Sequence, residues 1–390
     1  MNTPAITGSP LNVYIIAGES SGDLLGAHLM AAMKKLHGGQ IRFSGIGGDQ
    51  MAAEGLNSLF PYHELAMMGF VEILPYMFNL AARINQTVED AMTRQPDVVI
   101  TIDSPGFCFR VVDRLRKAEL DSKFVHYVAP TVWAYKPKRA LRCKELFDHL
   151  LVILPFEPPY FTEIGLPCTF VGHPAIAETQ AGHGANFREK YAISPETPLF
   201  CLMPGSRRGE VKRHLPIFAR AMTLLASQYP DLAMTVAVPR HVLAFVAPYF
   251  QNCPFRAVIL ADGQDKKDAI AASNVAIVKS GTVALEVAMA SVPMIVTYKV
   301  HPISAWMLRR MKLTKFVNLV NILRKREVIP ELLQELCTPL AIASAIAHLT
   351  SDPKAQERQK REAASALAEL IPDRVETPSE YAAEVILRLL

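Results

Sequence analysis

The sequence predicts an α/β protein made of two units of parallel sheet, and three observations carry that prediction. Short apolar runs alternate with longer helical patterns through the first part of the chain. The same rhythm restarts at Leu199 after a polar, Gly- and His-containing stretch. The chain has 390 residues, room for two domains at roughly 150 residues or more each. The apolar runs are near-continuous rather than alternating, as strands covered by helices on both faces should be.

In the first unit, strands are expected at Asn12–Ala17, Ile41–Ser44, Asp97–Ile102, Lys123–Val128 and His149–Leu154, with a helix from Asp23 to Leu36 after the first strand. The pattern weakens from Pro167 to Ser194, where the chain is expected to cross between domains. The second unit is expected to place strands at Leu199–Met203, Ala233–Val238, Ala257–Leu260, Val275–Val278 and Met294–Thr297. Beyond Pro330 the Ala-, Leu- and Glu-rich segments Ala343–Leu349, Ala355–Glu369 and Tyr381–Leu389 read as helices. The expected domains are 1–178 and 195–350, facing a cleft, with helices in 351–390 packing back on the first domain.

Composition excludes several classes. Half of the residues are hydrophobic and a fifth charged, too apolar for a disordered chain. The net charge of +4 is too balanced to indicate a nucleic-acid binder. Six cysteines lie scattered with no CxxC spacing, so reduced cytoplasmic thiols are expected. No signal peptide is expected from MNTPAITGSP. The apolar stretch Leu65–Leu80 is shorter than a membrane span and contains Glu72 and Pro75.

Four strand-to-helix loops carry candidate chemistry. AGESSGD follows the first strand and matches the GxSxG elbow of serine hydrolases at Gly18, Ser20 and Gly22. Its position, before any sheet has been assembled, favours a ligand-approach loop or a structural turn instead. TIDSPGF places Asp103 at the C-terminal end of a buried strand, where open α/β sheets face their ligands; a carboxylate there can accept a proton, and Asp before Ser-Pro-Gly is equally a turn former. In MPGSRRGEVKRHLP, Gly205, Ser206 and Arg207 open a helix and form an anion cradle without Walker A spacing, or else the arginines are merely solvated. In KSGTVALE, Ser280, Gly281 and Thr282 form a second cradle, with Glu286 one turn on, placed for a ribose diol or left as a solvated charge. HExxH, Cys/His clusters and DxD are all missing from the sequence, so a reaction without metal is expected. His126 and His173 read as structural histidines.

Two segments suggest lipid. Met67, Met68, Phe70, Val71, Leu74, Met77 and Phe78 crowd one short stretch, as the wall of a lipid pocket or a membrane-interface helix would, or an internal helix packed on both sides. From Tyr298 to Arg326, eight basic residues occur without an acidic one, mixed with Trp306 and Phe316, and WAYKPKRALRCK adds a second basic cluster. An anionic membrane surface or a phosphorylated acceptor fits these better than nucleic acid does.

Taken together, AGESSGD (17–23), GIGG (45–48), MGFVEILP (68–75), IDSPGF (102–107), HYVAPTVWAY (126–135), LPFE (154–157), GHP (172–174), PGSRRGE (204–210), KSGTVALE (279–286) and NILRKREVIPELLQ (321–334) resemble the lipid-A-disaccharide synthase family across essentially the whole chain. The resemblance implies an inverting glycosyltransferase with two Rossmann-like domains of GT-B type, peripheral to the cytoplasmic face of a Gram-negative inner membrane, with no cofactor. It implies UDP-2,3-diacylglucosamine as donor, 2,3-diacylglucosamine 1-phosphate as acceptor and a β-1,6 linkage. It assigns Asp103 as base, Gly205, Ser206, Arg207 and Ser280–Thr282 to the diphosphate, and Glu286 to ribose. Asn321, in competition with Asn318, goes to the donor, and Gly18, Glu19 and Ser20 to the acceptor side. The serine in TIDSPGF departs in detail from the family form, which bears on acceptor contacts. A homodimer is compatible with this pattern. The competing readings are a non-catalytic nucleotide or acyl-lipid binder and a nucleotide-sugar epimerase of the same architecture.

Overall fold

A computed structural model describes residues 10–38, 40–66, 73–178, 182–261, 263–301, 305, 314–374 and 376–390; the side chains of 66, 73–78, 177 and 178 lie outside that description. The chain forms two compact units, Met1–Ala177 with Leu370–Leu390, and Glu178–Glu369.

Among the described residues the first unit holds six strands: β1 (Leu11–Ala17), β2 (Ile41–Ile46), β3 (Val98–Ile102), β4 (Lys123–Tyr127), β5 (His149–Val152) and β6 (Cys168–Phe170). All pairings are parallel, in the order β2-β1-β3-β4-β5-β6. Along β1, Tyr14 and Ile16 enter one core layer, while Val13, Ile15 and Ala17 enter the other. That double burial is why the strand reads as an unbroken apolar run. Helix Ser20–His37 covers the second layer and packs against the C-terminal helix Pro378–Leu387. Gly45, at φ +127°, lets β2 lie against β1: a Cβ there would fall 2.0 Å from the Ile15 carbonyl oxygen.

The second unit repeats the plan with β7 (Leu199–Met203), β8 (Ala233–Ala237), β9 (Arg256–Leu260), β10 (Val275–Lys279), β11 (Met294–Tyr298) and β12 (Glu331–Leu333), again parallel and in the order β12-β11-β10-β7-β8-β9. In each sheet the first strand is flanked on its two sides by later strands, β1 by β2 and β3, and β7 by β8 and β10. The chain therefore reverses its winding between β1 and β3, and again between β7 and β10. Such reversals open a crevice at the carboxyl ends of the strands.

Two features differ from expectation. The edge strands β6 and β12 were not anticipated, because three half-buried residues give too short a pattern to register. The return to the first unit also comes later than residue 351. Helix Pro353–Ala368 belongs to the second unit, where buried Gln359 bonds both the N–H (2.7 Å) and the carbonyl (3.1 Å) of Met294. Glu362 on the same helix pairs with Arg324 and Arg326. Only the segment from Leu370 onward, with helix Pro378–Leu387, lies on the first unit.

All six cysteines are free thiols. Among the described residues, no helix is long and apolar enough to cross a membrane.

Candidate active site

At the first reversal, β1 runs into Gly18-Glu19-Ser20 and β3 runs into Asp103-Ser104. Asp103 (φ 49°) and Ser104 (φ 46°) are both left-handed. Two consecutive residues in that region cost of order 1–3 kcal/mol each, and such strain persists where surrounding structure over-determines it. The sources of that restraint are visible. Asp103 N–H donates to Tyr127 O at 2.9 Å, stitching the turn to β4. Pro105 then opens helix Pro105–Lys117, with Ser104 in its N-cap place. The Asp103 carboxyl is largely buried; burial raises its pKa above the ordinary carboxylate value, and a hydrogen bond from the Ser104 backbone partly offsets the rise.

Gly18 closes the other side of this crevice. A Cβ on it would stand 2.6 Å from Ser104 Oγ and 3.0 Å from Ser104 Cβ, so the two loops are in direct apposition. Glu19 and Ser20 are exposed at the start of helix Ser20–His37. Ser20 is a regular helical residue, absent from the positive-φ residues, and not the strained nucleophile of a hydrolase elbow. Asp23, the last residue of AGESSGD, is buried, and its carboxylate accepts from Gly48 N–H (2.7 Å), Gln50 N–H (3.1 Å) and Met51 N–H (3.1 Å). It thereby caps helix Asp49–Ala53 and ties the GIGG loop to the loop after β1.

The loop after β4 carries a third unusual backbone: Val128, β-branched, at φ 69°. That loop is braced by Glu157, 1% exposed, whose carboxylate accepts from Trp133 Nε1–H (3.0 Å) and Leu154 N–H (3.1 Å). Burial pushes the Glu157 carboxyl up to about 7, against the lowering effect of those donors. Glu157 was not singled out from the sequence. Its available signal was a lone acid between prolines just after an apolar strand.

His126 and His173, read from the sequence as structural, are both buried. His126 is fully buried, 2.7 Å from Thr101 Oγ1 through Nδ1 and stacked on Phe147, and burial drives it down to about 3. His173 is also buried and driven down to about 4. Both are neutral at physiological pH.

At the second reversal, β7 runs into Pro204–Arg207 and β10 into Ser280–Thr282. Gly205 has φ +119° and lies against Glu210, which a Cβ would meet at 2.7 Å. Ser206 and Arg207 are exposed, with Arg207 in the N-cap place of helix Arg208–Ala226. Lys279, the last residue of β10, pairs with Glu210 at 3.1 Å and so joins the two loops. Gly281 and Thr282 are exposed, and the Ser280 hydroxyl donates to Val317 O at 3.2 Å. Glu286 is ion-paired with Lys266 at 2.8 Å.

Asn321 has a different task from the one expected. It is fully buried; its Oδ1 accepts from Val328 N–H (2.8 Å) and Ile329 N–H (2.9 Å), and its Nδ2 donates to Ile329 O (2.8 Å) and Glu331 Oε1 (2.9 Å). With every polar position occupied, Asn321 has nothing left for a donor sugar. Asn318, its rival, caps helix Leu319–Arg324 through Val320 N–H at 2.9 Å. Glu331 completes this brace by accepting from Val317 and Asn318 N–H. Since Val317 O receives the Ser280 hydroxyl, the Asn321–Glu331 brace holds the loop after β10 in place.

Of the expected lipid-contacting residues, Met67, Met68, Phe70 and Val71 lie outside the described residues. Leu74, Met77 and Phe78 fall in helix Ile73–Arg94, with side chains outside the description. The basic stretch is in part internally neutralised, because Arg324 and Arg326 pair with Glu362 and Arg324 also with Glu369.

Two Rossmann-like units, one presenting a strained, buried carboxyl and the other a pair of glycine-, hydroxyl- and cation-bearing loops at their switch points, define a GT-B-type enzyme. Solved structures agree at the level of fold. The UDP-GlcNAc 2-epimerase of Neisseria meningitidis, bound to UDP-GlcNAc, matches with TM-score 0.63 over 97% of this chain and 99% of that one, at 10% identity. MurG of Acinetobacter baumannii matches with TM-score 0.56 over 97% and 100%, at 13% identity. Sequence goes further. The family model for lipid-A-disaccharide synthetase matches residues 13–386. The lipid-A-disaccharide synthase of Rhodospirillum centenum is 45% identical over 98% of this chain and 95% of its own length. That of Gluconobacter oxydans is 43% identical over 97% and 90%. The chain belongs to the lipid-A-disaccharide synthase family and is a glycosyltransferase that forms the lipid A disaccharide. The epimerase alternative rests on fold alone, and the non-catalytic binder is set aside with it.

Proposed function

We propose that the chain transfers 2,3-diacylglucosamine from UDP-2,3-diacylglucosamine to the 6-hydroxyl of 2,3-diacylglucosamine 1-phosphate, with inversion, releasing UDP and a β-1,6-linked disaccharide 1-phosphate. The observation that carries this reading is Asp103: a largely buried carboxyl, raised by burial, on a left-handed turn at the switch point of the first sheet. A base works best when its pKa approaches the working pH, and burial moves Asp103 in that direction.

The acceptor hydroxyl gives its proton to Asp103 as its oxygen attacks the anomeric carbon from the face opposite UDP. One displacement forms the C–O bond, breaks the bond to the diphosphate and inverts the centre. Arg207, the amides of Gly205 and Ser206, and the loop Ser280–Thr282 receive the charge that develops on the departing diphosphate. Glu286 takes the ribose hydroxyls. Gly18, apposed to Ser104, lines the acceptor side together with Glu19 and Ser20. The apolar segment 65–80 and the basic residues around 298–326 bring the acyl chains and an anionic membrane surface to the enzyme.

The test is product analysis with both substrates and with each alone. Disaccharide and UDP are expected only when donor and acceptor are both present. Sugar epimerised from the donor alone, or no turnover of the pair, refutes the reading.

A further inference from the structure

The donor loops contain a charge pair that none of the assigned roles uses. Lys279 Nζ lies 3.1 Å from Glu210 Oε1 across the second switch point, with both side chains about four-fifths buried: relative exposures are 21% and 17%. The second oxygen, Glu210 Oε2, is out of contact with solvent and has no hydrogen-bond partner among the described residues. It lies against the Gly205 turn. Burial disfavours the Glu210 carboxylate, but Lys279 and Arg207 outweigh it and hold the group below the usual carboxylate range, so it is ionised. An anion thus sits in the first turn of helix Arg208–Ala226, where backbone N–H groups and the helix dipole attract any anion.

The neighbouring cations are committed elsewhere. Arg208 lies over the Phe245 ring at 5.6 Å, Arg213 donates to Lys299 O at 3.3 Å and Lys266 pairs with Glu286. Within the two loops themselves the basic groups are Arg207, exposed in the N-cap place of helix Arg208–Ala226, and Lys279, at the end of β10. Among the described residues, Lys279 is held there by Glu210 and by the face of Tyr298, at 5.4 Å.

Resting on the donor reading of this crevice, we propose that Lys279 binds the diphosphate of the nucleotide and that Glu210 competes with the diphosphate for its ammonium. Glu210 is then an internal counter-anion that limits how tightly UDP is held. Without a nucleotide it satisfies Lys279. With a diphosphate in place, Lys279 divides its three N–H donors between carboxylate and phosphate oxygen. A leaving group that carries extra negative charge after bond cleavage would otherwise be retained, and a fixed carboxylate beside its cation speeds its release.

The two partners must therefore shift UDP affinity in opposite directions. Lys279→Met removes a charge-assisted contact and weakens UDP about tenfold or more, whereas Lys279→Arg largely retains binding. Glu210→Gln keeps the shape and an acceptor for Lys279 but removes the competing charge; UDP binds several-fold tighter, and release slows. Titration calorimetry with UDP on the full chain reads both effects. If Glu210→Gln weakens UDP along with Lys279→Met, or if neither variant moves it while both lower the melting temperature, the pair is structural and the inference falls. If the unmodified chain does not bind UDP at all, the donor reading itself fails. A second measurement needs no variant: UDP should slow acylation of Lys279 by an amine-reactive ester, followed by peptide mass spectrometry. Equal labelling rates with and without bound UDP overturn the contact.

Discussion

Glu157 yields a stability prediction whose size follows from its surroundings. The carboxyl is moved from its ordinary 4.5 up to about 7 by burial beneath the loops after β4 and β5. A carboxyl with a raised native pKa stabilises the fold below the unfolded value, and that contribution is lost as pH rises through the native value. Between pH 4.5 and 7 the native chain keeps a proton that the unfolded chain has released. At about 1.4 kcal/mol per tenfold change in proton activity, stability should fall by about 3 kcal/mol across that window. The Glu157→Gln variant cannot titrate at this position. It loses the bond from Leu154 N–H, because one carboxylate oxygen becomes an NH2 group, so it carries a constant penalty without the slope. Urea unfolding at several pH values, read by Trp133 fluorescence in a Trp306→Phe background, isolates the first unit. The stability gap between the unmodified chain and the Glu157→Gln variant should widen towards low pH by about 2–3 kcal/mol between pH 8 and pH 5. Other titrating groups are common to both chains and cancel. Curves that stay parallel over this range refute the idea of a buried, neutral Glu157.

Two further predictions address the site. Gly18→Ala should leave UDP affinity unchanged and lower turnover by about a hundredfold, because the new methyl, 3.0 Å from Ser104 Cβ, pushes the Asp103–Ser104 turn out of place; steady-state rates equal to those of the unmodified chain refute this apposition. Asn321→Ala removes four buried hydrogen bonds and should cost about 2–4 kcal/mol in chemical denaturation while raising the KM for donor through the Ser280 loop; a changed KM without lost stability would return Asn321 to the role of a donor contact.

The strands were legible because burial on both faces leaves near-continuous apolar runs, and ten of the twelve strands among the described residues lie where those runs stand. The loops were legible for a related reason. Gly18, Asp103, Gly205 and Ser280 each follow such a run within two residues, and a parallel sheet gathers strand ends on one side. What pattern could not convey was pairing between distant residues. Asn321 reads as a polar residue in a site-like string, and only the positions of Ile329 and Glu331 around it reveal a brace. Helix Pro353–Ala368 has the composition of any amphipathic surface helix, so the Gln359–Met294 contact that keeps it in the second unit left no local mark. The Glu210–Lys279 pair was hidden in the same way, each residue read as part of its own loop. Conversely, Arg324 and Arg326 looked like free charge in the sequence and are matched by Glu362 in the fold.

The central claim, that Asp103 accepts the proton of the attacking hydroxyl, is tested most directly by disaccharide formation in Asp103→Asn, with both acyl-sugar substrates supplied and UDP binding measured alongside. Asn keeps the size of the side chain and tolerates the left-handed backbone, so the fold and UDP affinity should persist while turnover drops by about 10² to 10⁴-fold. Disaccharide produced by that variant at the unmodified rate would contradict the account.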